Sequence, residues 1–305
     1  METSHGAPDG ADIRTTSVLT AEDLAVARAV LAASAEADGR DAVSEAGRLR
    51  LRVDEPRADV RHVLVADGAD PVGYAQVEQG GGGPVTVELA VHPAARGRGW
   101  GRRLVDAVLG AEPGPLDFWA HGGHPAARHL AGAYGAELVR ELRQMRRTAD
   151  APDEQPLPAG VTLRTFVPGA DDAAWLALNA AAFAHHPEQG SWTAADLADR
   201  IAEPWFDPAG FFLAERDGEL VGFHWTKVHP DGLGEVYVVG VAPSEQGSGL
   251  GRALTAAGLR HLLLDRKTGS VLLYVDADNP AAVRVYERLG FTIHEVDLMY
   301  RVERH

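Results

Sequence analysis

Cysteine is absent from this chain of 305 residues, and long apolar runs are missing as well. Without a thiol the protein can form no disulfide, no thiolate metal site and no cysteine nucleophile, which is compatible with a reducing cytoplasm. No apolar stretch reaches the roughly 18 residues that a membrane-spanning helix needs. We therefore expect a cytoplasmic protein without a membrane partner.

Positive charge is also scarce, because 29 Lys and Arg face 44 Asp and Glu, for a net charge of −15. Such a chain repels polyanions at long range, so we expect no nucleic-acid partner. Residues 1–12 lack the basic and apolar segments of a secretory signal and are predicted to form a loose tail. We expect a monomer.

The remaining composition is that of an ordinary globular protein, with 45% apolar and 24% charged residues. The length favours about two domains. A polar, proline-rich segment at residues 149–159 predicts a linker between a domain at 13–148 and a second domain at 160–305.

One glycine-rich loop occurs twice, as Arg96-Gly97-Arg98-Gly99-Trp100-Gly101 and as Gln246-Gly247-Ser248-Gly249-Leu250-Gly251. Each copy follows an apolar run that ends in proline and precedes a helical pattern. A strand, a glycine turn and a helix N-terminus direct several backbone N–H groups at one point, which suits a pyrophosphate. A single loop of this kind is weak evidence, but two copies in equivalent contexts indicate an internal duplication.

The order of predicted elements is alike in the two halves: a helix, short strands, the glycine loop with its helix, another strand and a short helix that begins at proline. The helices begin near Ala21 and Asp171, and the last helices begin at Pro125 and Pro280. This alternation predicts an α/β or α+β domain with a mixed sheet, present twice.

The second half also carries Asn279-Pro280-Ala281-Ala282 and Tyr286-Glu287-Arg288-Leu289-Gly290-Phe291 about 30 residues after its loop. Together with the loop, this pattern resembles the GNAT superfamily of acetyl-CoA-dependent N-acetyltransferases. The first half has the loop and a worn second part, His124-Pro125-Ala126-Ala127 followed by Tyr134-Gly135-Ala136. The resemblance implies two tandem GNAT acetyltransferase domains with acetyl-CoA as co-substrate.

Nearly the whole chain resembles the actinobacterial tandem-domain branch of this superfamily, notably in Phe223-His224-Trp225-Thr226-Lys227-Val228-His229-Pro230. The resemblance implies acetylation of the cysteinyl amine of a cysteine–glucosamine–inositol pseudo-disaccharide, the last step of mycothiol biosynthesis. Two alternatives are a GNAT that acetylates another amine (an aminoglycoside, a polyamine or a protein N-terminus) and a non-enzymatic acyl-CoA sensor.

Two side chains of the second half are implied to move protons. Attack of an amine on a thioester needs a neutral amine, a partner for the oxyanion and a proton for the departing thiolate. The resemblance implies Glu235 as general base and Tyr286 as general acid. As alternatives, Glu235 would be an ordinary carboxylate at a strand end and Tyr286 a core residue.

The resemblance also implies which stretches hold acetyl-CoA. In the second half they are Val239, Gly240, Val241, Gln246, Gly247, Ser248, Gly249, Leu250, Gly251, Arg252, Asn279, Pro280, Ala281, Ala282, Val283 and Arg284. In the first half they are Leu89, Ala90, Val91, Arg96, Gly97, Arg98, Gly99, Trp100, Gly101 and Arg102. The residues implied to bind the pseudo-disaccharide are Glu45, Glu188, Lys227, Glu235 and Tyr274, although Lys227 and Glu188 could instead form loop ion pairs. We expect no metal, because the pair His185-His186 has no third ligand at suitable spacing.

The first half lacks the two groups that transfer protons. Aligning the loops places Val85 where Glu235 stands, and aligning the helices places Ala131 where Tyr286 stands. Because valine and alanine cannot transfer protons, we expect the first half to be structural or to hold ligand, without turnover.

Overall fold

The computed structural model describes residues 11–51, 58–67, 70–79, 84–148, 150–184, 186 and 189–303. The strands are β1 Ala11–Thr16, β2 Val60–Asp67, β3 Asp70–Glu78, β4 Val85–Val91, β5 Leu116–Ala120, β6 Glu137–Arg147, β7 Val161–Thr165, β8 Phe211–Arg216, β9 Glu219–Val228, β10 Gly234–Val241, β11 Val271–Asp276 and β12 Thr292–Val302. The helices are α1 Ala21–Asp38, α2 Glu45–Leu49, α3 Trp100–Ala111, α4 Pro125–Ala133, α5 Asp172–Ala182, α6 Ala194–Ile201, α7 Leu250–Arg260 and α8 Pro280–Arg288. None of the helices in these ranges is both long and apolar enough to cross a membrane.

The chain divides into two compact units that do not follow chain order. The N-terminal unit comprises residues 1–141 and 296–305, and the C-terminal unit comprises residues 142–295. The end of β12 therefore belongs to the N-terminal unit, and the second half of β6 belongs to the C-terminal unit. The domain boundaries predicted from the sequence assigned these two strand segments to the opposite units. Strand β1 begins at Ala11 and so includes the last two residues of the predicted tail.

In the N-terminal unit the strand order is β1-β2-β3-β4-β5-β12, antiparallel except for the parallel pair β4 and β5. Alternation along the strands sends successive side chains to opposite faces. On β2, for example, Leu64 packs with Leu24 and Val30 of α1, whereas Val63 packs with Leu104 of α3. The sheet thus lies between α1 on one face and α3 on the other.

In the C-terminal unit the order is β6-β11-β10-β9-β8-β7, again with one parallel pair, β10 and β11. One face is covered by α5 and α6, where Trp175 is fully buried among aromatic rings that include Phe211 and Trp225. The other face is covered by α7 and α8, through buried residues such as Leu254 and Tyr286. The mixed sheet in each unit confirms the fold class predicted from the sequence.

The parallel pair comes apart at the same place in both units. In the C-terminal unit the pairing covers Gly234 to Val236 on β10, and in the N-terminal unit it covers Val85 to Val87 on β4. Both strands continue to Val241 and Val91, respectively, beyond the last described pair. Backbone groups on that edge of β4 and β10 can therefore receive a ligand that enters the opening between the strands.

Strand β10 carries a bulge that β4 lacks. The pairing of β10 with β9 shifts by one residue at Tyr237, whereas β4 pairs with β3 without a shift over its described pairs. Counting back through this extra residue places Thr86, and not Val85, at the position of Glu235. The sequence-based alignment was wrong by one residue, because loop spacing does not reveal an inserted residue. Like valine, threonine is no general base at neutral pH, so the conclusion for the first half is unchanged.

A buried histidine gives the C-terminal unit an acid-sensitive core. The Nδ1–H of His224 donates to the carbonyl oxygen of Leu254 at 2.7 Å, and Gly258 leaves room for the ring, because a Cβ there would overlap it. Burial lowers the pKa of His224 to about 4. The folded state therefore keeps this ring neutral at pH values where the unfolded chain already takes up a proton.

We expect the free energy of unfolding to fall as the pH drops from 6.5 to 4, by up to roughly 3 kcal/mol for His224. Above pH 6.5 both states carry a neutral ring and the contribution is constant. Urea unfolding at a series of pH values measures this, with His224→Gln as the control that keeps an N–H donor but does not titrate. An unchanged pH slope in His224→Gln would contradict the assignment. Burial also lowers the pKa of His62, in the N-terminal unit, to about 4. His62 therefore adds a similar dependence of the unfolding free energy on pH in the wild-type protein and in His224→Gln alike.

Candidate active site

The hairpin of β9 and β10 brings three polar side chains to one face of the C-terminal sheet. Glu235 is directly opposite Lys227 in the strand pairing, and His229 follows Lys227 at a spacing of two, which keeps it on the same face. Glu235 is only 6% exposed. Its Oε2 lies 2.7 Å from Nε2 of His229.

The loop that joins the two strands fixes His229 by backbone bonds. The N–H of His229 donates to the carbonyl oxygen of Leu233 at 2.8 Å, and the N–H of Gly232 donates to that of His229 at 2.9 Å. Gly232 has a φ of 85°, which a residue with a side chain rarely adopts. Sequence reasoning missed His229 as a site residue. The pairing of Lys227 with Glu235, which brings His229 to Glu235, is a property of the sheet and left no signal in the sequence.

Lys227 is buried beneath aromatic rings. Its Nζ lies 4.5 Å from the ring centre of Trp205 and 5.2 Å from that of Tyr237. Arg200 donates from Nε to the hydroxyl of Tyr237 at 2.8 Å and also lies 3.8 Å above the ring of Trp192. A buried ammonium held against ring faces differs from an exposed loop ion pair, because it is largely removed from water. The aromatic residues of this wall were not predicted as site residues.

Tyr286 lies on the buried face of α8 and belongs to the same apolar cluster as Val236 of β10. Its ring packs edge-on against Phe291, with the ring centres 6.0 Å apart. Burial raises the pKa of Tyr286 to about 12, so the phenol keeps its proton at neutral pH. A protonated, buried hydroxyl can donate a proton or a hydrogen bond but cannot serve as a base there.

The other predicted substrate residues are spread over the chain. Tyr274 lies on β11 with 43% of its surface exposed, and its hydroxyl accepts a hydrogen bond at 2.8 Å from Nε2 of Gln144. Glu45 belongs to the N-terminal unit, where it begins α2. Glu188 lies outside the described residues.

The glycine loop of the C-terminal unit has the backbone of an anion-binding turn. Gly247 and Gly249 have φ values of 82° and 90°, and a Cβ at either position would meet no atom within 4 Å, so the space in front of the loop is open. Helix α7 begins directly after Gly249, which leaves its first N–H groups facing that space. Arg252, predicted to bind phosphate, is hydrogen-bonded to Gln155.

Asn279, at the start of α8, caps this helix in addition to its predicted role in binding acetyl-CoA. The Oδ1 of Asn279 accepts a hydrogen bond at 3.1 Å from the N–H of Ala282, so Asn279 caps this helix. The Asn279 amide nitrogen is not used by that bond and remains a candidate contact for the cofactor arm. Val283 is buried, so its side chain belongs to the core.

The N-terminal unit has the same loop and an open cleft beside it. The cleft has a volume of about 470 Å³ and is lined by residues 89–91, 96–97 and 99–102, among others. Gly97 and Gly99 have φ values of 75° and 85°, close to those of their counterparts. Trp100 is buried in the core, so that position can offer only its backbone.

Arg96 is already engaged in this cleft. It forms a two-pronged ion pair with Asp38, with both N–O distances 2.7 Å, and its Nε donates to the carbonyl oxygen of Val91 at 3.1 Å. The hydrogen bond from Arg96 holds the pKa of Asp38 below its ordinary value. Arg96 therefore anchors the loop to the end of α1. Exposed Arg102 lines the cleft and remains a candidate to meet a phosphate there, whereas Arg98 is exposed but is not among the lining residues.

Within the described ranges, no group of three or more His, Asp or Glu side chains is arranged to hold a metal ion. His185 lies outside those ranges. His186 is ion-paired with Asp276, with 3.2 Å between His186 Nε2 and Asp276 Oδ2.

Comparison with known proteins agrees with this architecture. The sequence pattern of the acetyltransferase (GNAT) family matches residues 175–291, and that of an acetyltransferase (GNAT) domain matches residues 59–147. Among solved structures, a GCN5-related N-acetyltransferase from Sphaerobacter thermophilus superposes with a TM-score of 0.69 at 26% identity, covering 98% of this chain and 97% of that one. A tandem GNAT protein from the clavulanic acid biosynthesis pathway superposes with a TM-score of 0.71 at 20% identity, covering 96% and 98% of the two chains, and shows the same tandem fold.

Curated relatives are similar over nearly their whole length. The mycothiol acetyltransferase of Streptomyces avermitilis is 61% identical over 96% of both chains. That of Streptomyces coelicolor is 60% identical over 95% of both, and that of Thermomonospora curvata is 51% identical over 93% of this chain and 95% of its own. Together with two GNAT domains in tandem, this similarity shows an acetyl-CoA-dependent N-acetyltransferase. The chain belongs to the mycothiol acetyltransferase family within the GNAT superfamily.

Proposed function

We propose that the C-terminal unit transfers the acetyl group of acetyl-CoA to the cysteinyl amine of a cysteine–glucosamine–inositol pseudo-disaccharide, the last step of mycothiol biosynthesis. The observation that carries the proposal is the buried Glu235, paired with Lys227 and bonded to His229 just where β10 and β11 separate. The names of the relatives support the choice of acceptor.

Glu235 acts as the general base in this proposal. An α-amino group titrates near ~8, so only a modest pull is needed to present the neutral amine at physiological pH. The Nε2–H of His229 holds Oε2 of Glu235, and Oε1 takes the proton from the acceptor amine directly or through a water. The amine nitrogen then bonds to the thioester carbon, and the carbon–sulfur bond breaks.

The opening between the strands supplies the partner for the oxyanion. In this proposal the backbone N–H of Val239, which follows the bulge on β10 beyond the last described pair with β11, donates to the thioester oxygen. A fixed N–H donor in a site closed to water stabilises developing negative charge without reorganisation.

Tyr286 is the proposed general acid. Its phenol is protonated at neutral pH, as donation to the departing sulfur requires. A thiol near ~8.5 in water would be a poor match for a phenol near 12, but burial raises the pKa of a thiol as well. Burial of the departing sulfur in the same site, and not the burial of Tyr286, therefore brings the two pKa values closer.

Acceptor recognition in the C-terminal unit is assigned to Lys227, Tyr274 and Glu188, whereas the role of Glu45, which lies in the N-terminal unit, stays a prediction from the sequence. A polyol offers hydroxyl groups, which pair with carboxylates as donors and with an ammonium as acceptors. The aromatic residues around Lys227 hold its ammonium in one place, and Tyr274 presents an exposed ring at the end of β11.

In this proposal the N-terminal unit binds acetyl-CoA but does not catalyse acetyl transfer. Its cleft keeps the glycine loop and the exposed arginines, while Thr86 and Ala131 stand in place of the two proton-transfer groups. Binding of this kind depends on backbone N–H groups and positive charge, which survive in the unit.

His229→Ala is expected to lower kcat by about tenfold or more, because a hydrogen bond to a charged group contributes about 1.5–3 kcal/mol. The matched control is His229→Gln, whose amide can still donate to Glu235 and which should recover most of kcat. The KM for acetyl-CoA should change little in either variant. Equal losses in both variants, or a change confined to KM, would show that His229 does not act through Glu235.

An acceptor panel tests the function itself. Purified protein with acetyl-CoA is given the pseudo-disaccharide, an aminoglycoside, a polyamine or a short peptide, and released CoA is separated by chromatography because the first acceptor carries its own thiol. We expect kcat/KM for the pseudo-disaccharide to exceed that for the other amines by about 100-fold or more, since a site built for specific polar groups discriminates strongly. Equal use of the other amines would favour a different GNAT substrate, and binding of acetyl-CoA without release would favour a sensor.

A further inference from the structure

The N-terminal unit contains a buried histidine between two carboxylates. His121 follows the end of β5, and its Nε2 lies 2.8 Å from Oε1 of Glu88 on β4, while its Nδ1 lies 3.3 Å from Oδ2 of Asp297 on β12. All three side chains are at least four-fifths buried. The mechanism proposed above uses none of them.

The cluster is satisfied from within the protein. Besides His121, Glu88 accepts hydrogen bonds from the N–H of Ser44 at 2.7 Å and from its hydroxyl at 3.1 Å. Asp297 also accepts from the N–H of Gly122 at 2.6 Å. A carboxylate with these partners is held in place rather than presented to a substrate.

His121 and Glu88 are both charged at neutral pH. Burial disfavours the imidazolium, but the bonds to Asp297 and Glu88 outweigh it and raise the pKa of His121 to about 10. Burial also disfavours the Glu88 carboxylate, yet the bonds from His121 and Ser44 outweigh that effect and hold its pKa below the ordinary value. A cation with both ring protons committed is neither a base nor a ready acid.

His121 lines the cleft of the N-terminal unit. The cleft of about 470 Å³ is lined both by the glycine loop and by His121, whereas Glu88, which is bonded to His121, is not among its lining residues. The bond from His121 to Glu88 spans β4 and β5 beyond Val87 and Phe118, the last pair that joins these strands. An imidazolium bonded to a carboxylate thus crosses the opening between the two strands.

The C-terminal unit has no such bridge at the corresponding positions. Counting back from the prolines that begin α4 and α8, His121 corresponds to Asp276, which pairs with His186. Counting from the two glycine loops, Glu88 corresponds to Val238, which is apolar and buried in the core. The opening between β10 and β11 is therefore not crossed by an equivalent ion pair between these two positions.

We propose that His121 closes the acceptor side of the N-terminal cleft, so that this unit holds acetyl-CoA with its thioester shielded from amines. The inference rests on the proposed ligand-holding role of the unit. In this inference the N-terminal unit does not turn over for two reasons: the amine cannot reach the thioester, and the proton-transfer groups are missing. Removal of the imidazole opens a path from the acceptor side and uncovers Glu88 as a carboxylate that can take a proton.

The test uses the full chain with Glu235→Gln and Tyr286→Phe, which silences the C-terminal unit. His121→Ala is added to this background, and CoA release from acetyl-CoA is followed with hydroxylamine, whose nitrogen bonds to the acetyl carbon as the carbon–sulfur bond breaks and CoA thiol forms. Because the chain has no cysteine, a thiol reagent reads CoA without background from the protein.

We expect hydroxylamine-dependent release to rise at least about tenfold in His121→Ala, since an uncovered general base acts on the attacking amine. His121→Gln, which keeps the bulk and a donor toward Glu88, should stay at background. Adding Ala131→Trp, which fills the cleft, should remove the gain. Should His121→Ala fail to fold, Glu88→Gln with His121→Ala removes the charges of these two residues, and hydroxylamine should still gain access, with a smaller rise above background because the Glu88 base is gone.

No gain in a folded His121→Ala or double variant would overturn the inference, as would an equal gain in His121→Gln. Either result leaves the proposed function intact, because that function is read from turnover of the pseudo-disaccharide by the wild-type C-terminal unit. The proposed function would instead be contradicted if the wild-type protein showed no preference for the pseudo-disaccharide in the acceptor panel.

Discussion

Replacing Glu235 by Gln and Tyr286 by Phe in one chain is expected to lower kcat by about 10⁴-fold or more, because a positioned base and a positioned acid each contribute about 10²–10⁴. The two losses need not multiply, since groups that act in one step are not additive. Steady-state kinetics with acetyl-CoA and the pseudo-disaccharide measure the effect.

Binding of acetyl-CoA provides the control for this double variant. Glu235→Gln keeps the shape of the side chain and an acceptor oxygen, and Tyr286→Phe removes only a hydroxyl from a ring that packs on Phe291. Calorimetric affinity for acetyl-CoA should therefore stay within about threefold, a difference of well under 1.4 kcal/mol. A double variant that retains a tenth of wild-type kcat would show that neither group carries the proton transfers assigned to it.

The second large effect comes from a matched pair of substitutions in the two glycine loops. Gly249→Val should raise the KM for acetyl-CoA in the transfer reaction by about tenfold or more, because a β-branched residue at a φ of 90° is strained by at least 1–2 kcal/mol and distorts the N–H groups of the turn. Gly99→Val imposes the same strain at a φ of 85° in the N-terminal unit. It should leave kcat/KM for transfer largely unchanged.

This pair separates the roles of the two units, since the chemical change and the local backbone are the same. Arg98→Ala serves as a milder companion in the N-terminal loop and should also leave most of the rate. Steady-state kinetics with varied acetyl-CoA, alongside thermal unfolding of each variant, gives the comparison. A loss of most of the transfer rate in Gly99→Val or Arg98→Ala would place essential chemistry in the N-terminal unit.

The features that the sequence predicted well are those with local causes. The glycine loops could be located because positive φ and close approach to an anion both require glycine, and the helices after them follow from apolar periodicity. The duplication follows from the equal order of elements, and the family comparison confirms two GNAT domains. Local patterns of this kind do not depend on which distant strands pair.

What could not be predicted depends on pairing across the sheet. The bulge at Tyr237 moves Thr86, rather than Val85, to the position of Glu235, and no residue type marks a bulge in advance. His229 becomes a partner of Glu235 only when β9 and β10 pair. The network around His121 joins three elements that are far apart in the chain, so composition and spacing carried no sign of it.

The most direct test of the account is the product of a single reaction. Purified protein, acetyl-CoA and the cysteinyl pseudo-disaccharide should yield a product heavier by one acetyl group that still reacts with a thiol-specific reagent, since the acetyl group is on nitrogen. The same mixture with Glu235→Gln and Tyr286→Phe should yield almost none. Absence of this product from the wild-type protein, or a product whose thiol is blocked by the acetyl group, would contradict the account.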